Sequence, residues 1–369
     1  MGRGLTSSED CHGEMAKRLY ILFMLMLCMG CASMPEKPAA PAGTVFYPPP
    51  PQRPRLQFLQ SISGDYDLGK KQSAFQTFLV GNPRYQLLGE PYDVAASKGK
   101  IYILDRMYKT IVTLDLASQE MSFLNDHGIG KLGDPSGIWV SEEGLKYVAD
   151  MQRKQVVTFD QDDNFLRTYG GPDIFEKPVD VAVYGQRLYV VDLDKEQLFI
   201  LDSDTGRVIK TVGQKGEFFK PSHLTVGPAG NVFVTDALHF VIKKFSPEGQ
   251  FLDAIGFHGD QIGGFARPKG VAVDKDGRLY VVDAAFENVQ IFDDQGRILL
   301  FFGGPGYGRG DLYLPAGIAV DKDNTAYFQK FADPGFKLEY LVYVTNMFGK
   351  NMLNVYGFGQ WTGESLPGG

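Results

Sequence analysis

The chain has 369 residues, a net charge of −7, five histidines and three cysteines. That acidic balance argues against a nucleic-acid partner, which calls for a basic face. There is no Cys-x-x-Cys-His, so the chain itself attaches no c-type haem.

The N-terminus reads as an export segment. Lys17 and Arg18 precede an unbroken apolar run over residues 19–27, too short to span a bilayer as a helix and suited to the core of a signal peptide. Met15 is a plausible true start. The expectation is a signal peptide over 1–30, with Cys31 the only cysteine of the mature chain, so no internal disulfide can form. The stretch Cys28-Met29-Gly30-Cys31-Ala32 resembles the lipobox of bacterial lipoproteins, although Cys28 stands where leucine is usual. This resemblance implies a lipid on Cys31, hence the membrane as a partner, and Ala32 resembles sorting to the outer membrane. An ordinary secretory signal is the alternative. Eight of the 24 residues over 32–55 are proline, which reads as an extended tether (31–55 with the cysteine) unable to pair into a sheet.

From there a motif recurs. A proline precedes a β-branched run, and an apolar run closed by aspartate follows: EPYDVA…IYILD, DPSGIWV…KYVAD, KPVDVAV…LYVVD, KPSHLTV…VFVTD, RPKGVAV…LYVVD and LPAGIAV. The prolines stand at 91, 135, 178, 221, 268 and 315, in steps of 43 to 47 residues. That step is the length of a four-stranded propeller blade. In the fifth copy the expected strands are 270–274, 278–283, 288–293 and 298–303, separated by Asp/Gly and Gln/Gly turns. The fold class is therefore all-β, a six-bladed β-propeller of antiparallel four-stranded blades over 56–359, with a tail over 360–369.

The sixth copy departs from the pattern. An aromatic insertion falls between 321 and 339, strand-like runs follow at 341–346 and 352–356, and no fourth strand remains before the chain ends. Residues 55–64 have the fourth-strand form, so the N-terminal strand is expected to complete blade six and remove an exposed edge. Asp105, Asp150, Asp192, Asp236 and Asp283 each close a second strand. A short carboxylate there accepts backbone N–H groups of the turn, so these are read as turn chemistry and not as a catalytic set.

The form Pro-x-x-(Val/Ile)-Ala-Val…(Leu/Ile)-Tyr-Val-(Val/Ala)-Asp resembles the NHL repeat, over roughly residues 55–359. With the lipobox, the tether and the ending YFQKFADPGFKLEYLVYVTN, the chain resembles a group of six-bladed propeller lipoproteins from bacteria rich in multihaem c-type cytochromes. The resemblance implies a place in the cell envelope, on the periplasmic or surface face, and a c-type cytochrome as one kind of partner. The family often has arginine before the third strand; here those positions are Thr110, Gln155, Gln197, Val241 and Asn288.

Two places could carry function. The second residue after each blade proline should face the axis: Asp93, Gly137, Asp180, His223, Gly270 and Gly317. Asp93, Asp180 and His223 could hold a divalent cation; otherwise they bond water or backbone at a wet channel mouth. Some NHL enzymes place metal-binding histidines there, and by that resemblance the alternative function is a metal-dependent lyase or lactonase with an axial site. The other place is the set of loops after the strand-ending aspartates, all on one face. Their tips are apolar: Met107-Tyr108, Met151, Leu193, Leu238 and Phe240, Phe286, and Met347-Phe348. Such a patch marks a partner surface unless each tip folds over its own blade. The leading expectation is a non-catalytic scaffold or interaction module with no required cofactor. No Ser-His-Asp pattern, phosphate-binding loop or zinc motif supports an enzyme.

Overall fold

The computed structural model describes residues 43–69, 85–124, 127–214 and 216–363. The expected signal peptide and residues 31–42 of the tether, Cys31 included, lie outside these residues. Blade one runs from axis to rim as Pro91–Ser97, Lys100–Asp105, Thr110–Asp115 and Glu120–Phe123. Four more sheets repeat this order, with innermost strands Pro135–Val140, Pro178–Tyr184, Pro221–Val226 and Pro268–Val273. Each inner strand starts at its proline. That is where a residue lacking a ladder donor is tolerated.

Blade six closes the circle as expected. Pro315–Asp321, Phe336–Asn346 and Leu353–Trp361 are joined by Leu56–Ile62, whose Leu56 lies opposite Phe358 and Ile62 opposite Leu353. The aromatic insertion is shorter than expected: Thr325–Phe328 forms a helical turn, and the second strand already begins at Phe336. One expectation fails. The proline-rich stretch does pair, because Phe46–Tyr47 forms a fifth strand on this blade, opposite Gln57 and Leu56. Phe46 packs edge-on against Trp361, and the Tyr47 hydroxyl donates to the Gly310 carbonyl. The prolines lie outside that pair of residues and leave its N–H groups free to bond.

The core is divided. Among the described residues there are six apolar clusters, one at each blade–blade interface. The period of two in a strand explains this. Along Arg187–Asp192, Leu188 and Val190 enter the cluster with blade two, while Tyr189 and Val191 enter the cluster with blade four. Both faces of each blade are covered, so the middle strands read as continuous apolar runs.

The repeated aspartates act as clamps. Asp192 is fully buried; it accepts from the Glu176 and Lys177 N–H groups in the loop before the blade and from Asp194 and Lys195 in the turn after it. Asp283 joins Ala266 and Arg267 to Ala285 and Phe286 in the same way. In blade six Asn346 holds this place, accepting from the Tyr313 N–H.

Candidate functional site: the channel and the loop face

Every pairing of a first strand with a second shows a register shift just after the proline. A bulge there turns the next side chains toward the axis. Asp93, Asp180 and His223 do line a central cavity of about 220 Å³, together with Val94, Ile138 and Leu224.

Their bonding differs from that of a ligand set. Asp93 accepts from its own strand at Val94 N (2.9 Å) and from blade two at Ile138 N (2.9 Å). Asp180 accepts from Val181 N (2.8 Å) and from blade four at Leu224 N (2.7 Å). The three glycines of the ring fit closely against their neighbours. A Cβ on Gly317 would lie 2.7 Å from Asp93 Oδ1, one on Gly137 would overlap Asp180 Oδ1, and one on Gly270 would overlap the Ala316 carbonyl. Each aspartate therefore packs against a glycine of the preceding blade and bonds the backbone of the following one. Among the described residues no three His, Cys, Asp or Glu side chains converge closely enough to hold a metal ion. The trio named from sequence shares one cavity without forming such a cluster.

Burial pushes Asp93 up to about 7 and Asp180 well above the usual carboxylate range, the latter with a further rise from the Asp93 charge. Burial, then the Lys269 charge, pushes His223 down to about 3, so its ring is neutral. His223 Nδ1 lies 3.1 Å from Ser222 Oγ, and its Nε2 is buried with no hydrogen-bond partner. Tyr92, one residue before Asp93, stacks on the His223 ring at 5.7 Å. These residues come from blades one and four, which face each other across a six-bladed ring.

The expected loop tips divide. Met107, Tyr108, Leu238 and Phe348 are exposed, Met107 by 64%. Met151, Leu193, Phe240, Phe286 and Met347 are only half-buried. Met151 and Leu193 rest on the cluster between blades three and four, and Phe240 stacks on His258 at 4.1 Å. Sequence reasoning missed the loops that connect blades. Antiparallel order puts them on this same face, and they add exposed Tyr85, Leu87, Ile129, Phe219, Phe257, Ile262 and Tyr307. Lone aromatic residues inside Gly-rich linkers were the available signal. Beside Tyr108, an open cleft of about 530 Å³ is lined by Tyr85, Leu87 and Phe123.

The fold and site define the class: a six-bladed β-propeller with a stitched axis and one apolar loop face. Residues 265–292 match the model of the NHL repeat. No curated protein matches the chain. Among solved structures it is similar to virginiamycin B lyase from Staphylococcus aureus, at 14% identity and a TM-score of 0.51, over 73% of this chain and 84% of that one. An auxiliary nutrient binding protein from Bacteroides thetaiotaomicron gives 13%, 0.55, 74% and 70%. A gluconolactonase from Xanthomonas campestris gives 13%, 0.54, 83% and 98%. At these identities the likeness is one of fold.

Proposed function

We propose that this propeller is a lipid-anchored, non-catalytic interaction module of the bacterial cell envelope, held at the outer membrane through Cys31. Its loop face docks an envelope protein. The resemblance to propeller lipoproteins of cytochrome-rich bacteria puts a c-type cytochrome of an electron-transfer complex first among candidate partners. One observation carries this reading. The exposed side chains of the loop face are large and apolar, and they flank a cleft able to take an anchor side chain. The axis supports it from the other side, because both aspartates are committed to backbone N–H groups that join blades.

The test compares two forms of the anchored protein in solubilised membranes after cross-linking. One is the natural chain; the other carries Tyr108→Ser, Leu238→Ser and Phe348→Ser. Capture of a specific cytochrome by the first and not by the second is the expected result. Equal capture by both removes the loop face from the reading. Metal-dependent lyase or lactonase turnover that disappears in His223→Gln would replace it with the axial enzyme.

A further inference from the structure

The loop-face mouth of the channel holds more cations than anions: Lys269, Arg106 and Arg267 stand against Asp134 and Glu90. Lys269 precedes axial Gly270, and its ammonium lies 5.2 Å from the centre of the Tyr92 ring. Its one hydrogen-bond acceptor among the described residues is the Met347 sulfur at 3.4 Å, and a thioether accepts weakly. Among the described residues Lys269 has no ion-pair partner. The Arg106 guanidinium lies 4.9 Å from the same Tyr92 ring and reaches the Asp134 carboxylate only at 3.9 Å. The Arg267 side chain also lacks an ion pair among the described residues. These groups sense one another: burial first, then the Arg267 and Arg106 charges, push Lys269 down to about 8, against a small opposing effect of Glu90. Two of these cations lie against one aromatic ring, and the three together outnumber the anions near them, Asp134 and Glu90.

The second observation is His223. The residue is 3% exposed, its ring stacked against Tyr92 and within electrostatic reach of Lys269. The Nδ1–Ser222 contact fits either direction; in the tautomer where the Ser222 hydroxyl donates, the ring proton sits on Nε2 and that buried N–H has no acceptor. A buried donor without a partner has given up its water and gained nothing for it, so the fold does not retain it freely. An acceptor carrying negative charge answers both anomalies, the cations and the donor. Asp93 and Asp180, at the equivalent positions of blades one and three, do not play this part, since their oxygens accept from the backbone of the inner strands.

We propose that the channel mouth binds one small oxyanion, a carboxylate or a phosphate, between Lys269, Arg106 and the His223 Nε2–H, over the Tyr92 ring. This site is separate from the protein-docking rim and does not rest on that assignment. Binding is read on the whole chain by two measurements: calorimetric titration with acetate, succinate and inorganic phosphate, and the ¹⁵N–¹H signal of the His223 imidazole. Chloride at equal ionic strength is the control. Saturable one-to-one binding by at least one probe is expected, with a shift of the Nε2–H signal and a loss of affinity of about tenfold or more in Lys269→Gln. The tighter probe then names the class, carboxylate or phosphate. If Lys269→Gln fails to fold, Arg106→Gln at the rim carries the same expectation. Three results overturn the proposal: no saturable binding by any probe, an effect that chloride reproduces, or unchanged affinity in the folded variant.

Discussion

The two faces of the propeller use the same bond for different ends. On the face opposite the loops, aspartates close single tight turns: Asp202 accepts from Asp204 and Thr205, Asp293 from Gln295 and Arg297, Asp160 from Asp162 and Asn164. Those carboxylates stand at the surface, and the Thr205 hydroxyl, then its N–H, hold Asp202 below the usual range. On the loop face the carboxylates of Asp105, Asp150, Asp192, Asp236 and Asp283 are fully buried. There each joins a turn to the linker between blades. A tight turn needs no support from beyond itself. The apolar turns and the linkers of the loop face are held by the buried clamp, which leaves tips such as Met107, Tyr108 and Leu238 exposed. The faces therefore differ in what they can vary: one is committed to turn geometry, the other carries side chains available to a partner.

The strongest way to break this comparison is to remove both faces together. Deleting Leu56–Ile62 uncovers the Leu353–Trp361 edge and the apolar clusters on both sides of blade six. Loss of the cooperative thermal transition is expected in scanning calorimetry. An unchanged transition would mean that the circle does not need its closing strand. A narrower test contrasts the clamps. Asp283→Ala strands the Ala266, Arg267, Ala285 and Phe286 N–H groups and should cost about 3–5 kcal/mol in urea unfolding, at roughly 1–3 kcal/mol per unsatisfied buried donor with some relief from water. Asp202→Ala opens a surface turn and should cost clearly less. Equal costs would erase the distinction between the faces.

Much of this was legible in the sequence, for physical reasons. A strand buried on both sides needs an apolar run, the inner strand must start where proline is tolerated, and the clamp needs a short carboxylate. The clamp's second partner was not legible. The linker donors of Asp192 lie 15 and 16 residues upstream, and no local rule connects them. The part played by the axial glycines was not legible. Gly137 and Gly317 are the room into which Asp180 and Asp93 pack. The pairing of Phe46–Tyr47 was hidden by its proline-rich flanks, although Val45-Phe46-Tyr47 is itself proline-free. Loop tips were identified by type, but exposure depends on what lies beneath. Leu193 has a core to rest on and Leu238 does not.

A third test leaves stability alone. Tyr108→Ser, Leu238→Ser and Phe348→Ser together remove exposed apolar area and no clamp. The melting temperature should stay within about 2 °C, as expected for surface positions. A fall beyond that would show that the tips support their own blades. The rim would then lose its standing as a surface free to meet a partner.

The last expected effect concerns the axis, where the strands leading to both faces meet. Folded Asp93 titrates near 7 against an ordinary 3.8, so the folded chain keeps a proton that the unfolded chain releases. Its contribution to stability falls as pH rises through that window, and Asp180 acts in the same direction. Folded His223 titrates near 3 against an ordinary 6.5, so the unfolded chain gains a proton that the folded chain refuses. Its contribution rises with pH between those values. The two slopes oppose each other where the windows overlap. His223→Gln removes only the rising one, while the Lys269 charge near it and the Asp93 and Asp180 clamps remain. Unfolding free energies from urea titrations between pH 4 and pH 7 should then fall more steeply in the variant, by up to about 3 kcal/mol over the range. Parallel curves would mean that His223 is solvated or partnered in the folded protein, and the buried Nε2–H would cease to be an anomaly.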